Sequence, residues 1–157
     1  MKKVSYTLNV VLFAALAFIA YKFVYDGNVA TNSEDRIAVV VTAAEKAREL
    51  GEMRSLLETT QGIILAVTSD DIASIPELVA PLGMVATQKE SVTFMAKLPL
   101  GLKTMGFDAH GSMDTLGEMA ENGASGNEIL TALGNAMSLC VACHQTYRFV
   151  AEEEINQ

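Results

Sequence analysis

Tryptophan is absent from this 157-residue chain, and aromatic residues together make up only 6% of it. The apolar half of the sequence is mostly Ala, Val, Leu, Ile and Met, a set that favours helices over sandwiches or barrels. Cysteine is scarce too. Cys140 and Cys143 are too few for a disulfide framework. A zinc site would need more sulfur or a second suitably spaced histidine, and only His110 and His144 are present. Basic clusters are also missing, since 11 Lys and Arg stand against 19 Asp and Glu for a net charge of -8. Phosphate backbones need such clusters, so nucleic acid is not an expected partner. No Ser-His-Asp set, phosphate-binding loop or paired-carboxylate site is visible, so the chain does not read as an enzyme.

What is present begins at the N-terminus. Lys2 and Lys3 precede an apolar run from Val10 to Ala20, with apolar flanks from Leu8 to Tyr25. A basic stretch followed by an apolar one has the form of an export signal. No good small-residue cleavage site follows, and Asn28-Val29-Ala30 is a poor substitute. The run is slightly short of the ~20 residues a span typically needs, but Tyr21, Lys22 and Tyr25 suit the interface. An uncleaved single anchor is preferred over a cleaved signal. The two lysines then keep the N-terminus in the cytoplasm. The expected division is a signal anchor or transmembrane helix with a polar hinge over 1–30, and an exported domain over 31–157. The expected location is the bacterial inner membrane, with the domain in the periplasm. That domain is strongly acidic, which either steers a basic partner protein or keeps the domain soluble.

Along the body, Asn32 or Ser33 is the expected cap of a first long helix, with Glu34 and Asp35 in its first turn. Apolar positions from Ile37 through Val40, Val41, Ala44 and Met53 to Val67 recur in steps of three and four. Ser69-Asp70-Asp71 reads as a turn. A second helix follows, with Pro76 near its start and a break at Pro81 and Gly83, and helix resumes to about Lys97. Leu98 to Gly101 reads as a loop, 102–111 as irregular, and Ser112 to Met119 as a third helix ending near Asn122-Gly123. Ser125 and Glu128 form a capping box for a fourth, which should run to about Ala151 before Glu152 to Gln157 fray. No strand is expected. The fold class that follows is all-α, an antiparallel four-helix bundle with an additional N-terminal anchor helix.

The chemistry sits on the last helix. Cys140-Val-Ala-Cys143-His144 is the attachment pattern of a c-type haem. Two sulfurs three residues apart share a helix face and can each form a thioether with one of two neighbouring vinyl groups. His144 follows directly and can ligate the iron. The alternatives are a redox dithiol, which would want a βαβ context, a labile metal site, or two buried cysteines beside a core histidine. One covalently attached haem c is the expected cofactor.

The motif continues as His144-Gln-Thr-Tyr147-Arg148. C-x-x-C-H-x-x-Y-R on the last of four helices resembles the cytochrome c′ family, over roughly Ser33 to Arg148. The resemblance implies that Cys140 and Cys143 hold the haem, that His144 is the proximal ligand, and that Tyr147 and Arg148 lie near the proximal side. It also implies haem packed inside the bundle with the first helix on its distal side, and a homodimer through the first helices. Two features depart from the family: the retained N-terminal anchor, and a third helix without the common Trp and Phe.

Function turns on the distal side of the iron. Family members carry there either an apolar residue, leaving iron open to small gases, or a methionine, giving six-coordinate iron suited to electron transfer. Met53, on the apolar face of the first helix, is the leading candidate, against its reading as core filler. Met84, Met95, Met105, Met137 and His110 follow, with an open site as the remaining alternative. Lys97, Lys103 and Arg54 read as solvated rather than as propionate partners. The expected function is electron transfer by Fe(III)/Fe(II) cycling, to redox partners that are basic or membrane-bound. The rivals are a five-coordinate protein binding nitric oxide or carbon monoxide, and a haem-bearing structural subunit of a membrane redox complex.

Overall fold

The computed structural model describes residues 2–30 and 35–155. The chain is mostly helical. Helix α1 spans Lys2–Ala20 and runs directly into a π-helical turn, Tyr21–Asp26. Together they supply an apolar stretch, Tyr6–Asp26, of 21 residues with mean hydropathy 1.9, and its most apolar window buries nothing against the protein. At about 1.5 Å per residue such a helix reaches roughly 30 Å, the hydrocarbon thickness of a bilayer. The apolar run is therefore long enough to cross a membrane or to act as a signal anchor.

The stretch expected to be a polar hinge packs against the domain at Gly27 and Asn28. Gly27 has φ 72, and a Cβ there would lie 2.5 Å from the Pro99 nitrogen and 2.6 Å from the Lys97 carbonyl oxygen. Only glycine fits this approach. The Asn28 amide donates to Lys97 O at 2.7 Å. Lys103 Nζ donates to the carbonyls of Phe23 (2.9 Å) and Val24 (3.2 Å). Carbonyls at a helix C-terminus lack helical partners and carry partial negative charge, so an ammonium is a fitting cap. Burial there pulls the Lys103 pKa down.

A small sheet, which the sequence reading did not anticipate, follows. Strand β1 (Val29–Ala30) pairs antiparallel with β2 (Ile37–Val41), and β2 pairs parallel with β3 (Tyr147–Ala151). The first long helix therefore starts later than expected. Asn32, Ser33 and Glu34 lie outside the described residues, and α2 runs over Ala43–Thr68. Its cap is Thr42, whose hydroxyl accepts from the Glu45 amide while the Glu45 carboxylate accepts from the Thr42 amide. The Ala38-Val-Val-Val41 run is buried throughout, and β-branched residues pack well on a pleated surface.

Beyond α2 the chain turns at Asp70, the one non-glycine with positive φ (60) among the described residues. The short helices α3 (Ile75–Val79), α4 (Met84–Thr87) and α5 (Val92–Lys97) replace the expected second helix. Pro76 sits in the first turn of α3, and Pro81 lies in the 3-10 turn Ala80–Leu82. Helix α6 spans Leu100–Glu121, so the stretch expected to be irregular is regular helix, and Asn122 caps its end. Helix α7 spans Gly126–Thr146, with the Ser125–Glu128 capping box in place. It stops at Thr146 rather than near the expected Ala151, because Tyr147 turns extended and starts β3. Glu152–Glu154 is a 3-10 turn rather than a frayed tail, and Glu154 pairs with Lys46 at 2.7 Å.

Two cores result. The larger joins α2, α3, α6 and α7 through Ile63, Ile75, Val79, Leu116, Ile129 and Leu133. Truncating Leu116 or Ile129 to Ala there should cost about 2–5 kcal/mol. The smaller joins the sheet to α5 and α6 through Val39, Val41, Phe94, Leu98 and Leu102, with Cys143, Tyr147 and Phe149 packed against it.

Candidate functional site

Between these cores α2, α6 and α7 leave an open cleft in two lobes. Counting space open to solvent, the larger lobe measures about 930 Å³ and the smaller about 590 Å³. Met53, Leu102, Cys143, His144 and Phe149 line both. Cys140 lines the larger lobe, and Tyr147 and Arg148 the smaller. All six residues picked out from the sequence thus meet in one place. Cys140 and His144 are exposed on its surface, whereas Met53 and Cys143 are half-buried.

Both cysteines are free thiols. Burial, and then the neighbouring Cys140, push the Cys143 pKa up. A reactive dithiol needs a thiolate stabilised by its surroundings. The only His/Cys/Asp/Glu group close enough to hold a metal ion among the described residues is Glu49, Glu52 and Glu90. It includes neither cysteine nor His144.

The residues present fit a haem. Apolar side chains such as Leu56, Phe94, Leu98 and Phe107 line the larger lobe, as cofactor sites are mostly lined. An imidazole on α7 and a thioether on α2 open onto it, donors that suit haem iron. Among the other sulfur and imidazole candidates, Met95, Met105 and His110 line the larger lobe only, while Met84 and Met137 line neither.

His110 lies within α6, not in the loop or helix start expected for it. Its Nδ1 is 2.7 Å from the Leu82 carbonyl oxygen, which can only accept, so Nδ1 carries a proton. Nε2 then faces Glu52 Oε1 at 3.4 Å. Glu52 belongs to the carboxylate cluster on the same wall. Burial pushes the Glu49 pKa up despite its hydrogen bond from Arg48, and Glu90 and Glu52 add to the rise. Arg48 Nη2 partly offsets that charge, reaching Glu49 at 3.0 Å and Glu90 at 2.6 Å.

The sequence reading missed this acidic wall. Glu49 and Glu52 precede Met53 on the same helix, a visible signal, but nothing local to Glu90 ties it to them. Lys97 is also more engaged than expected, donating to Glu45 at 2.7 Å, and Lys103 lines the cleft while capping the Tyr21–Asp26 turn. Gly101 holds open the place of Tyr147, since a Cβ there would lie 2.5 Å from the phenol oxygen.

No protein-family model matches the chain, and no curated protein or solved structure matches it significantly.

Proposed function

We propose that this chain is a membrane-anchored monohaem c-type cytochrome of cytochrome c′ type that carries electrons on the periplasmic side of a bacterial inner membrane. Residues 1–30 serve as anchor, and 31–157 form the haem domain, whose α2, α3–α4 segment, α6 and α7 make an antiparallel four-helix bundle. The observation that carries the reading is that Met53 and His144, from different helices, line both lobes of one apolar cleft beside the two thiols. Cys140 and Cys143 would tether the cofactor, and His144 and Met53 would ligate its iron. Tyr147 and Arg148 would lie beside His144. When bound, haem supplies one-electron Fe(III)/Fe(II) exchange. The protein's part is to hold two ligands in place and to exclude water with Phe94, Leu98 and Leu102. Its partners are redox proteins, basic or membrane-bound. A homodimer or a larger membrane complex is the assembly in which it works.

The open form of the larger lobe favours one second reading, a gas-binding site in which Met53 does not ligate. Absorption spectra of the full chain, expressed with a c-type maturation system, separate the two. The carrier reading expects haem that survives denaturing electrophoresis and a low-spin spectrum unchanged by carbon monoxide. A high-spin spectrum that shifts with carbon monoxide would favour the gas-binding reading. Haem that separates from the chain on denaturation would refute covalent attachment.

A further inference from the structure

The joint between α1 and the domain brings a distinctive surface beside the end of the apolar helix. On α5, Thr93, Ala96 and Lys97 line a small cavity together with Lys22, Phe23, Gly27 and Asn28. Val92 precedes Thr93, lies one helical turn before Ala96, and is 86% exposed. On α6, Lys103 bonds the Phe23 and Val24 carbonyls. Leu100 and Phe107 lie three residues before it and four after, hence on the same face, and are 41% and 39% exposed. Three exposed apolar side chains therefore surround the place where the span meets the domain.

Charge singles out the same stretch. Residues 91–107 contain Lys97 and Lys103 and no Asp or Glu, in a chain with 19 acidic residues. The nearest carboxylates come from elsewhere and are engaged: Asp26 with Lys22, and Glu45 and Glu152 with Lys97. A surface with no carboxylate of its own and studded with apolar side chains suits the acyl boundary of a membrane.

We infer that the face formed by α5 and the first two turns of α6 rests on the lipid surface of the membrane that α1 enters. This rests on the reading of α1 as a membrane anchor. The surface is continuous with the span, and the packing at Gly27 keeps it there. Because Lys103 and Phe107 also line the cleft, one rim of the cleft lies at the lipid surface, and a partner approaching that rim travels along the membrane.

The chain has no Trp, so a single introduced indole reports its own surroundings. Val92→Trp and, as a control, Leu57→Trp on α2, 68% exposed, would each be placed in the full haem-loaded chain. Both would be reconstituted into nanodiscs with or without lipids brominated near the headgroup end of the acyl chain. Brominated lipid is expected to quench the Val92→Trp emission at least twofold and to leave Leu57→Trp unchanged. Equal emission of Val92→Trp in both lipids, with the protein still retained by the nanodiscs, would overturn the inference while leaving the anchor intact. Quenching of both indoles alike would overturn it as well. Failure of the chain to stay with the nanodiscs at all would refute the anchor reading, and this inference with it.

Discussion

Met53 on α2 and His144 on α7 open onto the same two lobes of one cleft, though 91 positions of sequence number separate them. Elsewhere the same two helices are held together by Ile63, Ile129 and Leu133 in the larger core.

The first prediction follows from that pair. Met53→Leu should convert a low-spin haem spectrum to a high-spin one that binds carbon monoxide, and should lower the midpoint potential, since methionine ligation raises it. His110→Ala should leave the low-spin spectrum in place. The reverse pattern in the two spectra would make His110 the distal ligand.

Tyr147 and Gly101 give a packing test. The rigid phenol sits where a Gly101 side chain would go, so Gly101→Ala should destabilise the fold by about 1–3 kcal/mol through overpacking. Adding Tyr147→Phe, which removes the clashing oxygen, should recover part of the loss. Urea midpoints at constant slope would measure both, and strict additivity would show that the two positions do not touch.

Glu45 should make stability depend on pH. Burial opposes its ionisation, but the Lys97 hydrogen bond and the Thr42 cap more than offset it and hold its pKa below the ordinary 4.5. A carboxyl whose folded pKa is depressed contributes stability that is fully present above its unfolded pKa and is lost as pH falls through the folded one. Glu45→Gln should therefore be less stable than the parent at pH 7, with the gap closing below about pH 4.3, the unfolded carboxylate value. Thr42→Ala should cost about 1 kcal/mol as a lost N-cap. A Glu45→Gln gap that stays constant down to about pH 2, well below the ordinary carboxylate range, would argue against a charge-dependent role.

Gly27 tests the joint. Alanine there meets strained backbone, costing about 1–3 kcal/mol, and a contact with the 97–99 backbone that cannot be relieved by a side-chain rotation. Gly27→Ala should expose residues 27–30 to limited proteolysis while the haem spectrum stays unchanged. Unaltered protease resistance would mean that the joint tolerates a side chain.

Much of this was legible before any coordinates. The capping box at Ser125, the turn at Asp70 and the stop at Asn122-Gly123 each rest on local hydrogen bonds or backbone conformation, and local chemistry leaves local marks. The motif and Met53 were legible because attachment spacing and helical periodicity are short-range patterns. What misled was competition between patterns. Ile37, Val40 and Val41 fit a helical stripe, yet the unbroken β-branched run is also a strand, and pairing with the distant β3 decided it. Leu98 to Gly101 reads as a loop and 102–111 as irregular, yet α6 runs through both from Leu100. The weak helix propensity of its glycines, about 1 kcal/mol each, is outweighed by the burial of Leu102, Met113 and Leu116. The Glu49–Glu52–Glu90 wall was beyond reach because Glu90 joins it only through the fold.

The parallel pairing of β2 with β3 also bears on how the molecule is assembled. Ile37 aligns with Tyr147 and Val41 with Ala151, so the sheet cannot close until the segment after the attachment helix has emerged and found a strand made far earlier. Contacts of such long sequence separation form late. The strand follows directly behind the two thiols, and Cys143, Tyr147 and Phe149 all pack against the smaller core, so the wall beside Cys143 is complete only once the two ends of the domain have met.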